Sequence, residues 1–253
     1  MKKRFILFLI LFVLGSILIY VRFDSKPKDK KKNKEIYFKL NLKYPRFEKS
    51  SVSLIMVGDC LIHGSIYDDA KENGRYNFYK MVDLVKPKIK EYDLAFYNQE
   101  SILGGTALGL SSYPTFNSPQ EVGDAFIDMG FNLVSLANNH TLDRGKKAIQ
   151  SSLAYWKSKE GIMTAGSYES EEDRTTPRIM EKNGIKYALL SYTTTTNGIP
   201  VPKDASYLVD VYEKNKVKED IESLKGKADL IMVAMHWGEE YTHVPNSSQK
   251  EIA

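Results

Sequence analysis

Cysteine is almost missing from this chain. A single Cys60 among 253 residues excludes an internal disulfide and any zinc site built on several thiolates. No internal repeat is present. Excess positive charge is missing too, once its location is taken into account. The formal net charge is +4, but residues 1–34 hold ten Lys/Arg and two Asp, leaving 26 basic against 30 acidic residues beyond them. A nucleic-acid-binding domain carries its basic patch on the fold itself, so that class is set aside and no nucleic-acid partner is expected. Apolar runs long enough to span a bilayer are also scarce, Phe5–Val21 being the one candidate.

That run follows Lys2-Lys3-Arg4 and holds seventeen residues without a charge. As a helix it would rise about 25 Å, near the lower limit for crossing a hydrocarbon core of about 30 Å. Tyr20 and Arg22 suit the interface beyond it. Neither an A-x-A cleavage site nor a lipobox cysteine follows, so residues 1–23 read as an uncleaved signal anchor, a transmembrane helix, with a cleaved signal peptide as the alternative. Residues 24–50 form a basic linker whose core, Asp24–Lys34 (DSKPKDKKKNK), is a self-repelling spacer or a contact for anionic headgroups or polymer. The lysines of this linker outnumber the N-terminal charges, and counted alone they would hold the globular part inside. The order of a short basic start and an apolar core favours export instead.

From residue 51 onward, short apolar β-prone runs alternate with helical patterns, which predicts an α/β fold with a mainly parallel sheet and helices on its faces. Ser51–Val57, Asp93–Tyr97, Phe131–Ala137, Ile162–Ala165 and Ala228–Met235 read as strands, the first, third and last of them buried. Asn183-Gly184 between Arg178–Met180 and Ile185–Tyr192 is a strong hairpin signal. Asn77–Tyr92 reads as one helix strained by Pro87. Ser118-Pro119-Gln120-Glu121 reads as a capped helix start, with Gly130 as the stop. Further helices are expected over Lys146–Lys159 and Val217–Leu224.

Four of the strands end in ligand chemistry: Asp59, Glu100, Asn139 with His140, and His236. In a parallel sheet such ends share one edge, where α/β folds build their sites. Carboxylate oxygen, amide oxygen and imidazole nitrogen make a mixed set suited to divalent Mn, Fe or Zn. Three of the four histidines (His63, His140, His236) fall in these segments.

The motifs Gly58-Asp59, Asn98-x-Glu100-Ser101, Pro114-x-Phe116-Asn117-x-Pro119, Ala137-Asn138-Asn139-His140-x-x-Asp143-x-Gly145 and His236-Trp237-Gly238-x-Glu240-Tyr241 together resemble the CapA family of poly-γ-glutamate capsule proteins. The resemblance implies a metallophosphoesterase-like sandwich, a domain anchored outside a bacterial membrane, and partnership with poly-γ-glutamate or its synthase and export subunits. By motif position it implies Asp59, Glu100, Asn139 and His236 as metal ligands, His140 as general acid, and Asp143 as the group that orients it. His63, Asn117 and Glu240 are the candidate substrate contacts. In that chemistry metals activate a water and clamp the oxygens of an in-line displacement, while His140 protonates the leaving group. Two departures stand out. Asp-x-His is replaced by Asp59-Cys60-Leu61-Ile62-His63. The family's glycine-flanked His-Pro-His segment would follow the helix that starts near Gln249, so a domain over residues 51–253 is expected to be incomplete at the C-terminus. A role in capsule synthesis or export is the first expectation, and a cell-surface phosphoesterase or amide hydrolase the alternative.

Overall fold

The computed structural model describes residues 50–253. The expected anchor over residues 1–23 and nearly all of the 24–50 linker lie outside the described residues. Among the described residues no helix is long and apolar enough to cross a membrane.

The strands in chain order are β1 (Leu54–Asp59), β2 (Lys71–Glu72), β3 (Arg75–Tyr76), β4 (Leu94–Asn98), β5 (Leu133–Ser135), β6 (Met163–Ala165), β7 (Met180–Lys182), β8 (Ile185–Thr193) and β9 (Leu230–His236). The helices are α1 (Gly64–Ala70), α2 (Tyr79–Val82), α3 (Lys86–Ile89), α4 (Glu121–Met129), α5 (Gly145–Lys157), α6 (Glu171–Thr175), α7 (Lys214–Leu224) and α8 (Ser247–Ile252). Rather than one sheet there are two principal ones. The first is four-stranded in the order β1-β4-β5-β6, parallel throughout. The second is three-stranded in the order β7-β8-β9, with an antiparallel hairpin about Asn183-Gly184 and a parallel β8–β9 pair. The fold is mixed α/β with a parallel sheet.

Alternation along the strands decides the layers. In β4, Leu94 and Phe96 join Leu133, Met163, Tyr187 and Leu189 in one buried cluster between the sheets. Their neighbours Ala95 and Tyr97 point the other way, into a larger cluster with Val122, Ile149, Leu153 and Trp156 of α4 and α5. A period of two on a strand produces this division. β8 obeys the same rule: Ser191 Oγ meets Ser135 Oγ at 2.6 Å across the sheets, while the Tyr192 hydroxyl donates to Asp220 on α7 at 2.7 Å. Helices therefore cover both outer faces. Each large apolar side chain buried this way contributes roughly 1.5–3 kcal/mol.

Several local expectations are corrected. Among the described residues β1 and β9 are edge strands, paired on one side only, and Met56, Val57 and Val233 are exposed rather than buried. The expected helix over 77–92 is two short ones, α2 and α3, separated by a turn at Asp83–Val85. Pro87 lies in the first turn of α3, where its missing N–H is harmless. The capping box at Ser118 does not form: α4 starts at Glu121 without a side-chain cap, and the Ser118 hydroxyl instead donates to Ser101 Oγ at 2.9 Å. Gly130 does stop that helix in the left-handed conformation.

One irregularity aims the site. β1 pairs with β4 in regular register at Met56↔Phe96, yet Asp59 rather than Gly58 stands opposite Asn98. An extra residue on one strand is a bulge, which turns the following side chain to the other face. Asp59 is thereby placed on the same face as Phe96 and Asn98, the face toward the second sheet.

Candidate metal centre

Three strand ends from two sheets meet. One ligand atom each from Asp59, Glu100 and His236 lie within 4.8 Å of one another. His236 Nδ1 is 3.6 Å from Asp59 Oδ1, and its Nε2 is 3.7 Å from Glu100 Oε1. The hydrogen bond from Asn98, the neighbouring imidazole and its charge hold the Asp59 carboxyl below the ordinary aspartate value, with His236 the largest influence and partial burial opposing it. Glu100 moves the other way. Burial and then the charge of Asp59 raise it, against the attraction of His236 and His140, and Glu240 adds a smaller repulsion. Two carboxylates crowded on one imidazole form a pocket of negative charge that a cation would relieve.

Asparagines knit the strand ends together. Asn98 Nδ2 donates to Asp59 Oδ1 at 2.8 Å and lies 3.3 Å from His236 Nδ1. Asn138 Nδ2 reaches Asn98 Oδ1 at 3.3 Å and the Gln99 carbonyl at 3.0 Å, while Asn138 Oδ1 accepts from the His140 N–H at 3.0 Å. The Thr141 hydroxyl closes this loop on the Leu136 carbonyl at 2.8 Å. Asn98 and Asn138 sit inside the sequence motifs without an assigned role there. Only the geometry shows that they carry the frame.

Beside this frame, His140 Nδ1 and Asp143 Oδ2 are 2.7 Å apart, and both side chains are buried. Asp143 Oδ2 also accepts the Phe116 N–H at 2.7 Å. The Phe116 ring is fully buried and takes His140 and His63 edge-on, at 4.8 and 5.0 Å between centroids. His63 thus stands against Phe116 at the start of α1 and is not part of the Asp59–Glu100–His236 group. Cys60, next to Asp59, is a buried thiol pushed up to about 12 by desolvation, which leaves it protonated and a poor ligand.

Among the described residues, Asn139 and Asn117 each have a buried Oδ1 without a partner, and the two differ in their surroundings. Asn117 donates to the Gly105 and Gly109 carbonyls at 3.0 and 2.8 Å. A Cβ placed on Gly104 would lie only 2.4 Å from its Oδ1, so Asn117 is packed against the loop it holds. Asn139 follows β5 in the loop that carries His140, and an orphaned buried acceptor is a group that a cation can complete. Glu240 lies exposed in the turn after β9, near enough for its charge to act on Glu100.

Fold and site together define an α/β two-sheet protein with a strand-end cluster of hard and imidazole donors. The chain belongs to the bacterial capsule synthesis protein PGA_cap family, whose model matches residues 53–253. It is 29% identical over 142 residues to the capsule biosynthesis protein CapA of Bacillus anthracis, covering 54% of this chain and 34% of that protein. With the PGA biosynthesis protein CapA of Bacillus subtilis (strain 168) it shares 25% identity over 127 residues, 50% of this chain and 33% of that one. The matched stretch thus spans about a third of the length of these relatives. Among solved structures, a 5'-nucleotidase of Staphylococcus aureus described as putative is similar with a TM-score of 0.47 and 17% identity, over 76% of this chain and 39% of that one. The NAD nucleotidase NadN of Haemophilus influenzae is similar with a TM-score of 0.49 and 17% identity, over 80% of this chain and 36% of that one.

Proposed function

We propose that this chain is a membrane-anchored capsule-synthesis protein on the outer face of a bacterial cell, with a metal-dependent hydrolytic site. It acts on poly-γ-glutamate or alongside the subunits that make and export it. Membership of the PGA_cap family supports the capsule role, and the apolar run Phe5–Val21 supports the anchor. The observation that carries the chemistry is the meeting of Asp59, Glu100 and His236 within 4.8 Å, beside the His140–Asp143 pair.

Asp59, Glu100, His236 and the Asn139 carboxamide would hold a divalent Mn, Fe or Zn. When bound, such an ion supplies Lewis-acid polarisation of a phosphoryl or carbonyl oxygen. The chain's own residues do the rest. Asp143 engages His140 Nδ1 at 2.7 Å, so Nε2 is the nitrogen left to exchange a proton with a leaving group or water. Asn98, held by Asn138, keeps Asp59 and His236 from drifting apart. The bond cleaved would be a phosphoester or an amide.

Metal analysis with phosphoesterase and poly-γ-glutamate hydrolysis assays tests the proposal on the full chain, wild type against His140→Ala and Asp59→Asn. Bound metal, with activity lost in both variants, is expected; absence of metal and no difference between variants would overturn the hydrolytic reading. The position of His63 against Phe116, away from the carboxylates, favours a second reading: a metal-holding accessory subunit that cleaves nothing. In that case metal binds, hydrolysis is absent, and loss of the gene still removes surface polymer.

A further inference from the structure

We propose that Asn197, in the loop after β8, is a positioning residue that fixes the carboxamide of Asn139 with its oxygen toward the metal centre. This rests on the assignment of Asn139 as a ligand. Asn139 Nδ2 donates to Asn197 Oδ1 at 3.3 Å, and Asn139 Oδ1 is then left buried with no partner. An amide has one donor end and one acceptor end. Engaging the donor end elsewhere is what makes the acceptor end available as a ligand.

The rest of the loop ties down the second sheet's ligand. The Thr194 N–H donates to the His236 carbonyl at 3.0 Å. The Thr193 hydroxyl points to the same carbonyl at 3.3 Å and to the Thr195 carbonyl at 2.9 Å. Residues 193–197 therefore touch His236, at the end of β9, through its main chain and Asn139, in the loop after β5, through its side chain. Second-layer hydrogen bonds of this kind orient ligands and tune metal affinity.

A structural alternative exists for Asn197 itself. The Ile199 N–H bonds the Thr196 carbonyl at 2.9 Å, and the two central residues, Asn197 and Gly198, have φ of 52° and 77°. A turn of this type favours asparagine for its backbone alone. Glycine serves that backbone equally well and has no amide, so Asn197→Gly separates the two roles. Asn197→Asp keeps an acceptor and can only accept.

Mn²⁺ binding to the full chain, followed by the free-ion electron paramagnetic resonance signal, is the test. Asn197→Gly should weaken Mn²⁺ by about 10- to 100-fold with an unchanged melting temperature. Asn197→Asp should restore the affinity. In an Asn139→Ala background, Asn197→Gly should have no further effect, because its action runs through Asn139. Equal Mn²⁺ affinity in wild type and Asn197→Gly, or a full additional loss in the Asn139→Ala background, overturns the role of Asn197 and leaves the metal centre standing. A wild-type chain that does not bind Mn²⁺ overturns both.

Discussion

Replacing Gly166 by alanine should disturb the fold at a point where the two sheets meet. Gly166 follows β6 with φ of +96°, a region where a side chain costs about 1–3 kcal/mol. Crowding adds to this strain. A Cβ there would lie 2.5 Å from Ala137 Cβ, 2.8 Å from Ala137 N and 2.9 Å from Ser191 Oγ. One of these neighbours is backbone, and Ser191 is held by Ser135 at 2.6 Å, so relief requires shifting β5 or β8. Overpacking of this kind costs about 1–3 kcal/mol. The sum, roughly 2–6 kcal/mol, is a large part of an ordinary domain stability of about 5–15 kcal/mol. Gly166→Ala should still fold, with a urea midpoint lowered in proportion. Ala137 also leads directly into Asn138, Asn139 and His140, so Mn²⁺ affinity should fall as well. A stability loss under about 1 kcal/mol would refute the close approach described here.

Two further perturbations test the frame away from the centre. Asp93 accepts from the Ser53 N–H and hydroxyl, both at 2.9 Å, and from Asn183 Nδ2 at 3.1 Å, and the Ser53 backbone bond leads in holding its carboxyl below the usual 3.8. A depressed folded-state value stabilises above the unfolded value and loses that contribution as pH falls through the folded one. The gap in urea midpoint between wild type and Asp93→Asn should therefore be open at pH 7 and close as pH falls below 3.8; a gap that does not vary with pH would contradict this. Arg174 is nearly buried between Asp210 at 2.8 Å and Asp220 at 2.5 Å. Arg174→Ala should cost about 3 kcal/mol in urea unfolding, because it strands two carboxylates with only Lys216 and Tyr192 as partners; a loss under about 1 kcal/mol would show the network to be dispensable.

Strands β1, β4, β5, β6, β8 and β9 were legible in the sequence because each is a short apolar run ending in polar residues, and β4 and β5 are buried on both faces as such runs require; the polar pairs Lys71–Glu72 and Arg75–Tyr76 of β2 and β3 carry no such signal. The same pattern gave the wrong burial for β1 and β9. Apolar composition cannot distinguish a covered strand from an edge, since that depends on which strand lies alongside. Helix starts were misread where a tertiary contact outbid a local one: the Ser118 hydroxyl goes to Ser101, 17 positions away, rather than to its own helix. At the site, residue types and strand ends were enough to single out Asp59, Glu100, His140 and His236. The framework amides were not. Asparagine is common in loops for backbone reasons, so nothing local marks Asn98, Asn138 or Asn197 as framework. Their importance emerges only when β4, β5 and the loop after β8 are set side by side.

The bulge in β1 shows how little separates a site from an ordinary sheet edge. Between the pairs Met56↔Phe96 and Asp59↔Asn98, β1 spends one residue more than β4. In regular register Asp59 would stand opposite Gln99 and face the helices, with no path to His236. Deleting Gly58 removes the extra residue and leaves Asp59 opposite Asn98 on the same face, now in an unbroken ladder. The shortened chain should keep Mn²⁺ affinity within about threefold of wild type, a change of less than about 1 kcal/mol. Inserting an alanine between Val57 and Gly58 should instead put Asp59 opposite Gln99 and facing the helices if the bulge is kept, or carry it along the strand to stand opposite Glu100 if the ladder is unbroken; either outcome should weaken binding to the level of Asp59→Ala. If the deletion proved as damaging as the insertion, the extra residue would be setting the position of Asp59 along the strand rather than the face it occupies.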